Sequence, residues 1–274
     1  MYRALSLLIV CALLLGLSGS TVLAQEPKMD AAEVVDAIYS AVEAQDLATA
    51  AEYLADDVVL VLVPPPGGMD GTFVGKEEVL GWYESLIANN LAIELSNMQV
   101  DGNRVTLTNL TWIDDLPVAP VEFDGSAVVQ QGKLKAVNWV MTPQTITALD
   151  AAFAQMAQED VVRRILTEIW SEGNIDLADE LVAEDYVSHS WPVGEGREHF
   201  KEDVAGWRTD FPGTTIVVDR IVFDGNRAII FSHNVAEGGS LDTLAPDADI
   251  EDVLIYQIEN GQLSDRWYFA PFEP

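Results

Sequence analysis

The chain has 274 residues, 49% of them hydrophobic and 8% aromatic, enough apolar material to bury the core of one large or two ordinary domains. That excludes a mainly disordered or low-complexity chain. Its 45 acidic against 14 basic residues give a formal charge of -31, a surface that repels phosphate backbones and anionic lipid, so neither nucleic-acid binding nor a polybasic membrane anchor is expected.

Arg3 is the lone charge ahead of an apolar run from Leu5 to Leu17. Small and polar residues follow, and Val22-Leu23-Ala24 puts small residues where a signal peptidase reads. Residues 1–24 therefore read as a Sec-type signal peptide cleaved near Ala24, with a secreted or periplasmic product. The run is shorter than the roughly 20 residues that a membrane span needs. Cys11, the single cysteine, lies inside it without the small residue expected before a lipidated cysteine. The mature chain can hold no disulfide, cysteine zinc site or thiol nucleophile.

After this segment the chain repeats itself. A shift of 128 residues lays Ala31–Val59 over Glu159–Val187 without a gap, matching Val34 to Val162, Ile38 to Leu166 and Asp57 to Asp185. Gly81-Trp82 aligns with Gly206-Trp207, Asp101-Gly102-Asn103-Arg104 with Asp224-Gly225-Asn226-Arg227, and Gly132 with Gly261. A repeat this long is a domain, so the expected units are 25–148 and 149–274.

Each unit opens with apolar residues at helical spacing, Val34, Ile38 and Val42 in the first and Val162, Leu166 and Ile169 in the second. Breaks at Gln45-Asp46 and Gly173-Asn174 precede a second helix that ends near Ala55-Asp56-Asp57 and Ala183-Glu184-Asp185. A third helix is expected over Lys76–Asn89 and Glu198–Thr209. Strands Ile93–Val100 and Arg104–Ile113, then Glu122–Gln130 and Lys133–Met141, form hairpins. Ile216–Phe223 with Arg227–Val235, and Glu251–Glu259 with Gln262–Phe269, repeat them. Thr142-Pro143 starts a further helix that carries Ile146, Leu149, Phe153 and Met156 toward Val161, so the joint is helical. Helices first and antiparallel strands after them predict an α+β fold: two tandem cones, each with three N-terminal helices on a strongly curved antiparallel sheet.

The second unit resembles the SnoaL-like group of the nuclear transport factor 2-like superfamily through Ile169-Trp170-Ser171-Glu172-Gly173-Asn174, Leu181-Val182-Ala183-Glu184-Asp185-Tyr186-Val187-Ser188-His189 and Tyr256-Gln257-Ile258-Glu259-Asn260-Gly261. The first is similar to the same superfamily through Ala55-Asp56-Asp57-Val58, Gly71-Thr72-Phe73-Val74-Gly75-Lys76-Glu77-Glu78 and Val128-Val129-Gln130-Gln131-Gly132. The resemblance implies a pocket at the open end of each cone, concave and mostly apolar. In polyketide cyclases of this group a carboxylate on the last strand is the general acid/base. Its position falls on Tyr268 here and on Trp139 in the first unit, and the accompanying histidine falls near Leu254. A phenol or an indole cannot replace that carboxylate as a base.

The candidate catalytic residues are therefore Tyr268, His189 and His233, the last expected on the cavity side of its strand. Candidate ligand-lining residues are Trp170, Trp191, Trp207 and Tyr256 in the second unit and Trp82, Trp112 and Trp139 in the first. His199 is expected at the surface, and three scattered histidines make a weak metal case, so no metal or organic cofactor is expected. The acidic run Asp247–Asp252 reads as a solvated loop entering a strand. Three functions fit: a binder of a small apolar or amphipathic molecule, ranked first because the cyclase carboxylate is missing; a cyclase-, isomerase- or hydratase-type enzyme; or an assembly module forming an internal pseudo-dimer or a homodimer.

Overall fold

A computed structural model describes residues 29–114, 116–236 and 252–269; the signal-peptide reading and the run 247–251 lie outside them. The elements are α1 (Ala31–Glu43), α2 (Leu47–Tyr53), β1 (Leu54–Val63), β2 (Thr72–Val74), α3 (Lys76–Ala88), β3 (Ala92–Asp101), β4 (Arg104–Trp112), β5 (Val121–Gln130), β6 (Lys133–Met141) and α4 (Pro143–Arg164). A wide-turned helical stretch at Ile165–Ser171 continues α4. A short turn, Ile175–Leu177, leads to α5 (Ala178–Leu181), β7 (Val182–Ser188), β8 (Gly194–Glu195), α6 (Arg197–Asp210), β9 (Thr214–Asp224), β10 (Arg227–Ala236), β11 (Asp252–Glu259) and β12 (Gln262–Phe269).

The two sheets have identical topology, β2-β1-β6-β5-β4-β3 and β8-β7-β12-β11-β10-β9. Helices pack on one face of each sheet, as an α+β reading requires. The sequence reading ran the second helix to Asp57 and Asp185; instead it stops at Tyr53 and Leu181, and a strand begins at the next residue. That strand joins its sheet in parallel, beside β6 in the first unit and β12 in the second. Register shifts such as those between Val128 and Val129, and between Gln257 and Ile258, place bulges in the hairpins, and bulges bend a sheet.

Caps locate the helices. Asp30 forms a capping box with Glu33 at the start of α1, with both backbone N–H groups satisfied at 2.8 and 2.9 Å. Gly75 and Gly196 precede α3 and α6 at φ 89°, and donate their N–H to Val58 O at 2.7 Å and Tyr186 O at 2.6 Å. These two glycines are therefore equivalent, and they correct the sequence alignment by one helical turn. Trp82, not Glu78, occupies the place of Asp203, and the Gly-Trp steps at 81–82 and 206–207 are not equivalent positions. The first core gathers Val34, Ile38, Leu60, Val79 and Leu134; the second gathers Val162, Leu166, Phe200, Ile230 and Leu263. Among the described residues no helix is long and apolar enough to cross a membrane.

Candidate functional site

Each sheet curls around a cavity, and the two cavities differ in chemistry. The first, about 430 Å³, is bounded by Leu62, Trp82, Leu86, Phe123 and Trp139, with Ile146, Leu149 and Phe153 of α4 along one side. Its deep polar atoms satisfy one another. Trp139 Nε1 donates to Tyr39 Oη at 3.0 Å, Tyr39 and Tyr83 share a hydroxyl–hydroxyl bond of 3.0 Å, and Thr111 Oγ1 donates to Asn109 Oδ1 at 3.1 Å. Burial pushes the Tyr39 phenol up to about 12 and raises that of Tyr83 as well, so both are neutral donors.

The second cavity, about 640 Å³, takes Trp170 from the wide-turned stretch, Asp203 and Trp207 from α6, Asn234 from β10, Asp252 and Tyr256 from β11, and Arg266 and Tyr268 from β12. The wide turn is held from both sides. Ser171 Oγ donates to Leu166 O at 2.8 Å and accepts from Ile216 N–H at 2.9 Å, while the Arg208 guanidinium donates to Ser171 O. A cation at the negative end of a helix is favoured, and irregular helical turns often sit at sites. This turn carries Trp170 onto the cavity wall, edge-on to Trp207 at 5.8 Å.

Strand register and the cap glycines match six positions between the two units, three of which line both cavities. Trp139 becomes Tyr268, Val137 becomes Arg266, Ala127 becomes Tyr256, and Phe123 becomes Asp252. Val58 becomes Tyr186, and Trp82 becomes Asp203. Five of the six replacements add a polar or charged group to the second unit, and the sixth exchanges the Trp139 indole N–H for the Tyr268 hydroxyl. Gly125 shows the steric counterpart. It pairs with Trp139 as Leu254 pairs with Tyr268, and a Cβ there would lie 2.7 Å from Trp139 Cε3. The wide indole needs a glycine beneath it, and the narrower phenol does not.

Tyr268 Oη donates to Asp252 Oδ1 at 2.8 Å, and Asn234 Nδ2 donates to Asp252 Oδ2 at 2.8 Å. Burial raises the Asp252 carboxyl above the ordinary carboxylate range, against those two bonds. Burial and then the Asp252 charge push the Tyr268 phenol upward. Beneath the wall, Arg266 Nη1 lies 3.6 Å from Asp203 Oδ2, with their side chains only 8% and 6% exposed. That is an ion pair without a formed hydrogen bond. Burial raises the Asp203 carboxyl too, with the charges of His199 and Arg266 opposing it. The Arg266 guanidinium also lies over the Trp170 ring, 4.9 Å from its centroid.

The last-strand position of the cyclase carboxylate holds Tyr268, and the cavity's Asp252 and Asp203 come instead from β11 and α6. Asp252 ends the acidic run and lies on the expected strand Glu251–Glu259; it is the first residue of β11, and the sequence did not single it out as a site residue. Asp203 gave no signal beyond helical spacing from Phe200 and Trp207. The structure places Tyr268, Trp170, Trp207 and Tyr256 on the cavity lining, together with Trp191, which is 87% exposed. His233 lies between the inward Ser232 and Asn234, points to the other face and bonds Asp219 Oδ2 at 2.8 Å. His189 also lies outside the cavity lining, bonded to Asp265 Oδ1 at 2.8 Å and stacked on Trp267 at 4.4 Å. Trp82 and Trp139 line the first cavity, and Trp112 does not.

Duplicated helix-and-sheet cones, each wrapped around one cavity, define a class of small-molecule pocket folds. Residues 160–270 match the SnoaL-like polyketide cyclase family, and residues 35–131 match the SnoaL-like domain family. The protein belongs to the SnoaL-like group of the nuclear transport factor 2-like superfamily, as two tandem copies. No curated protein matches the chain. Among solved structures, it is similar to an NTF2-like protein of unknown function from Cytophaga hutchinsonii, 14% identical over 44% of this chain and 98% of that one, with a TM-score of 0.37. It is similar to an NTF2-like protein from Burkholderia xenovorans, 13% identical over 45% and 98%, TM-score 0.37. A candidate polyketide cyclase from Sinorhizobium meliloti is 19% identical over 39% and 93%, TM-score 0.34.

Proposed function

We propose that this is an exported protein, cleaved near Ala24, whose second domain binds a small amphipathic molecule in the cavity beside Asp252 and Tyr268. The domains span 25–148 and 149–274 and are joined within α4. The contrast at the three matched positions that line both cavities carries the reading: Trp82, Phe123 and Trp139 border an apolar hollow whose polar atoms satisfy one another, while Asp203, Asp252 and Tyr268 put carboxyl and hydroxyl groups around a larger one. Apolar walls with a few placed polar groups are what a small-molecule site needs. A thermal-shift screen across lipids and polyketides, confirmed by native mass spectrometry, tests it. A ligand whose stabilising effect is lost in Tyr268→Phe supports the reading, and no ligand across the panel overturns it.

A second reading, acid–base catalysis on an enolisable ketone or ester, is favoured by one observation. Asp252 is a burial-raised carboxyl facing the cavity and bonded to a phenol. A carboxyl raised toward the working pH is suited to moving a proton, and once Asp252 has taken one up, the Tyr268 O–H can turn from Asp252 to a carbonyl oxygen. Turnover that falls in both Asp252→Asn and Tyr268→Phe, but not in His189→Ala on the outer face, supports this reading. Unchanged rates in the first two remove it.

A further inference from the structure

We propose that the second cavity selects an organic cation, a protonated amine or quaternary ammonium on an apolar body, with Asp252 as its counter-charge. The inference rests on the binding reading above and adds the charge of the ligand. Among the described residues four carboxylates line the cavity, Glu202, Asp203, Asp210 and Asp252, against the single cation Arg266. Arg266 does not offset them at the cavity surface. Its Nη1 and Nε are buried, and its guanidinium faces Asp203 and the Trp170 ring.

Two features leave room for a further positive partner at the cavity wall. Asp203 is buried and lines the cavity, and among the described residues its Oδ2 accepts no hydrogen bond, with Arg266 Nη1 and His199 Nε2 approaching it only at 3.6 and 3.5 Å. Asp252 accepts one bond on each oxygen, from Tyr268 and Asn234, which leaves acceptor capacity on both. Aromatic faces complete the setting, since Trp207, Trp191 and Tyr268 stand around these carboxylates. Ring faces attract cations, most strongly where water is excluded. The net charge of -31 steers cations toward the protein in general, so selectivity must come from the cavity itself. The first cavity has only Asp150, exposed on α4, among its lining residues, and it makes no such demand.

Asp252 contacts Tyr268 of β12 and its neutral partner Asn234 of β10, and among the described residues it shares the cavity with Arg266 of β12 and with Glu202, Asp203 and Asp210 of α6. A bound cation favours the ionised form of Asp252, so binding should tighten as pH rises from the ordinary carboxylate range, and a proton should be released on binding in that window.

The test is calorimetric titration of the full mature chain with three probes of similar body: benzyltrimethylammonium, benzyl alcohol and phenylacetate. At 0.15 M salt the cation should bind at least about tenfold more tightly than the alcohol, and phenylacetate most weakly. Asp252→Asn should bring cation and alcohol to within about threefold, while Glu84→Gln, which removes an exposed charge on α3, should leave the preference intact. Asp203→Asn serves as the second cavity variant if Asp252→Asn does not fold. Equal binding of cation and alcohol overturns the cation inference and leaves the binding reading standing. So do equal losses in Asp252→Asn and Glu84→Gln, which would trace the attraction to diffuse surface charge. Absence of binding by all three probes overturns both.

Discussion

Gly125→Ala is the sharpest probe of how the first cavity is built. The added Cβ would meet Trp139 Cζ3 well inside van der Waals contact and would lie 2.7 Å from Cε3 and 2.9 Å from Leu107 Cδ2. The indole cannot simply tilt away. Its Nε1 is bonded to Tyr39 Oη at 3.0 Å, and its ring packs edge-on to Tyr39 at 5.6 Å. Trp139 is 3% exposed, so a shift must move core neighbours or break that bond. Overpacking of this kind costs about 1–3 kcal/mol, and a buried N–H left unpaired adds about 1–3 kcal/mol. The expected loss is therefore about 1–3 kcal/mol for the first domain if the bond survives and about 2–6 kcal/mol if it breaks, read as a lower urea midpoint of the transition that carries the near-ultraviolet signal of Trp139. The second copy pairs Leu254 with Tyr268 at the same place, so Gly125→Ala combined with Trp139→Tyr should lose less than the sum of the two single changes. A Gly125→Ala chain with unchanged midpoint, or a double variant that loses the full sum, would refute the steric argument.

Three further outcomes follow from the second cavity. Arg266→Met leaves Asp203 buried without its cation and should cost about 3–5 kcal/mol near neutral pH, less in acid where Asp203 protonates; equal losses at both pH values would contradict the pairing. Asp252 and Asp203 hold protons more tightly folded than unfolded, so their contribution to stability is greatest below the ordinary carboxylate range and is lost as pH rises through their raised values. Asp252→Asn should flatten that decline in a series of melting temperatures against pH, and a parallel decline would sink the assignment. His189→Ala breaks an exposed pair with Asp265 and should change stability by under about 1 kcal/mol, with no effect on any cavity ligand measured by thermal shift.

Much of the architecture was legible in the residues. The duplication, the six helices of the expected plan, the hairpins at Asp101-Gly102 and Asn260-Gly261 and the helical joint follow from periodicity, caps and turn chemistry, because these are local properties of the chain. At Asn260-Gly261 both residues take positive φ, 52° and 78°, as a tight hairpin requires. The strands β1 and β7 escaped that reading. They begin directly after a helix, and Val182-Ala183-Glu184-Asp185 has no alternation to announce them.

The chemistry of the site was a tertiary decision. In sequence, Asp252 closes an acidic run, Asp203 sits mid-helix, and His189 and His233 look like the better functional residues. A one-residue step along a strand turns a side chain from one face to the other, so His233 points away while Ser232 and Asn234 point in. Likewise Arg266 and Tyr268 face the cavity, and Trp267 stacks outside on His189. The sequence determined that there are two copies of one fold, because repeated local patterns survive divergence. Only the folded chain decided that the copies differ inside, because the parity of each strand and the phase of α6 set which carboxylates leave water and meet in one hollow.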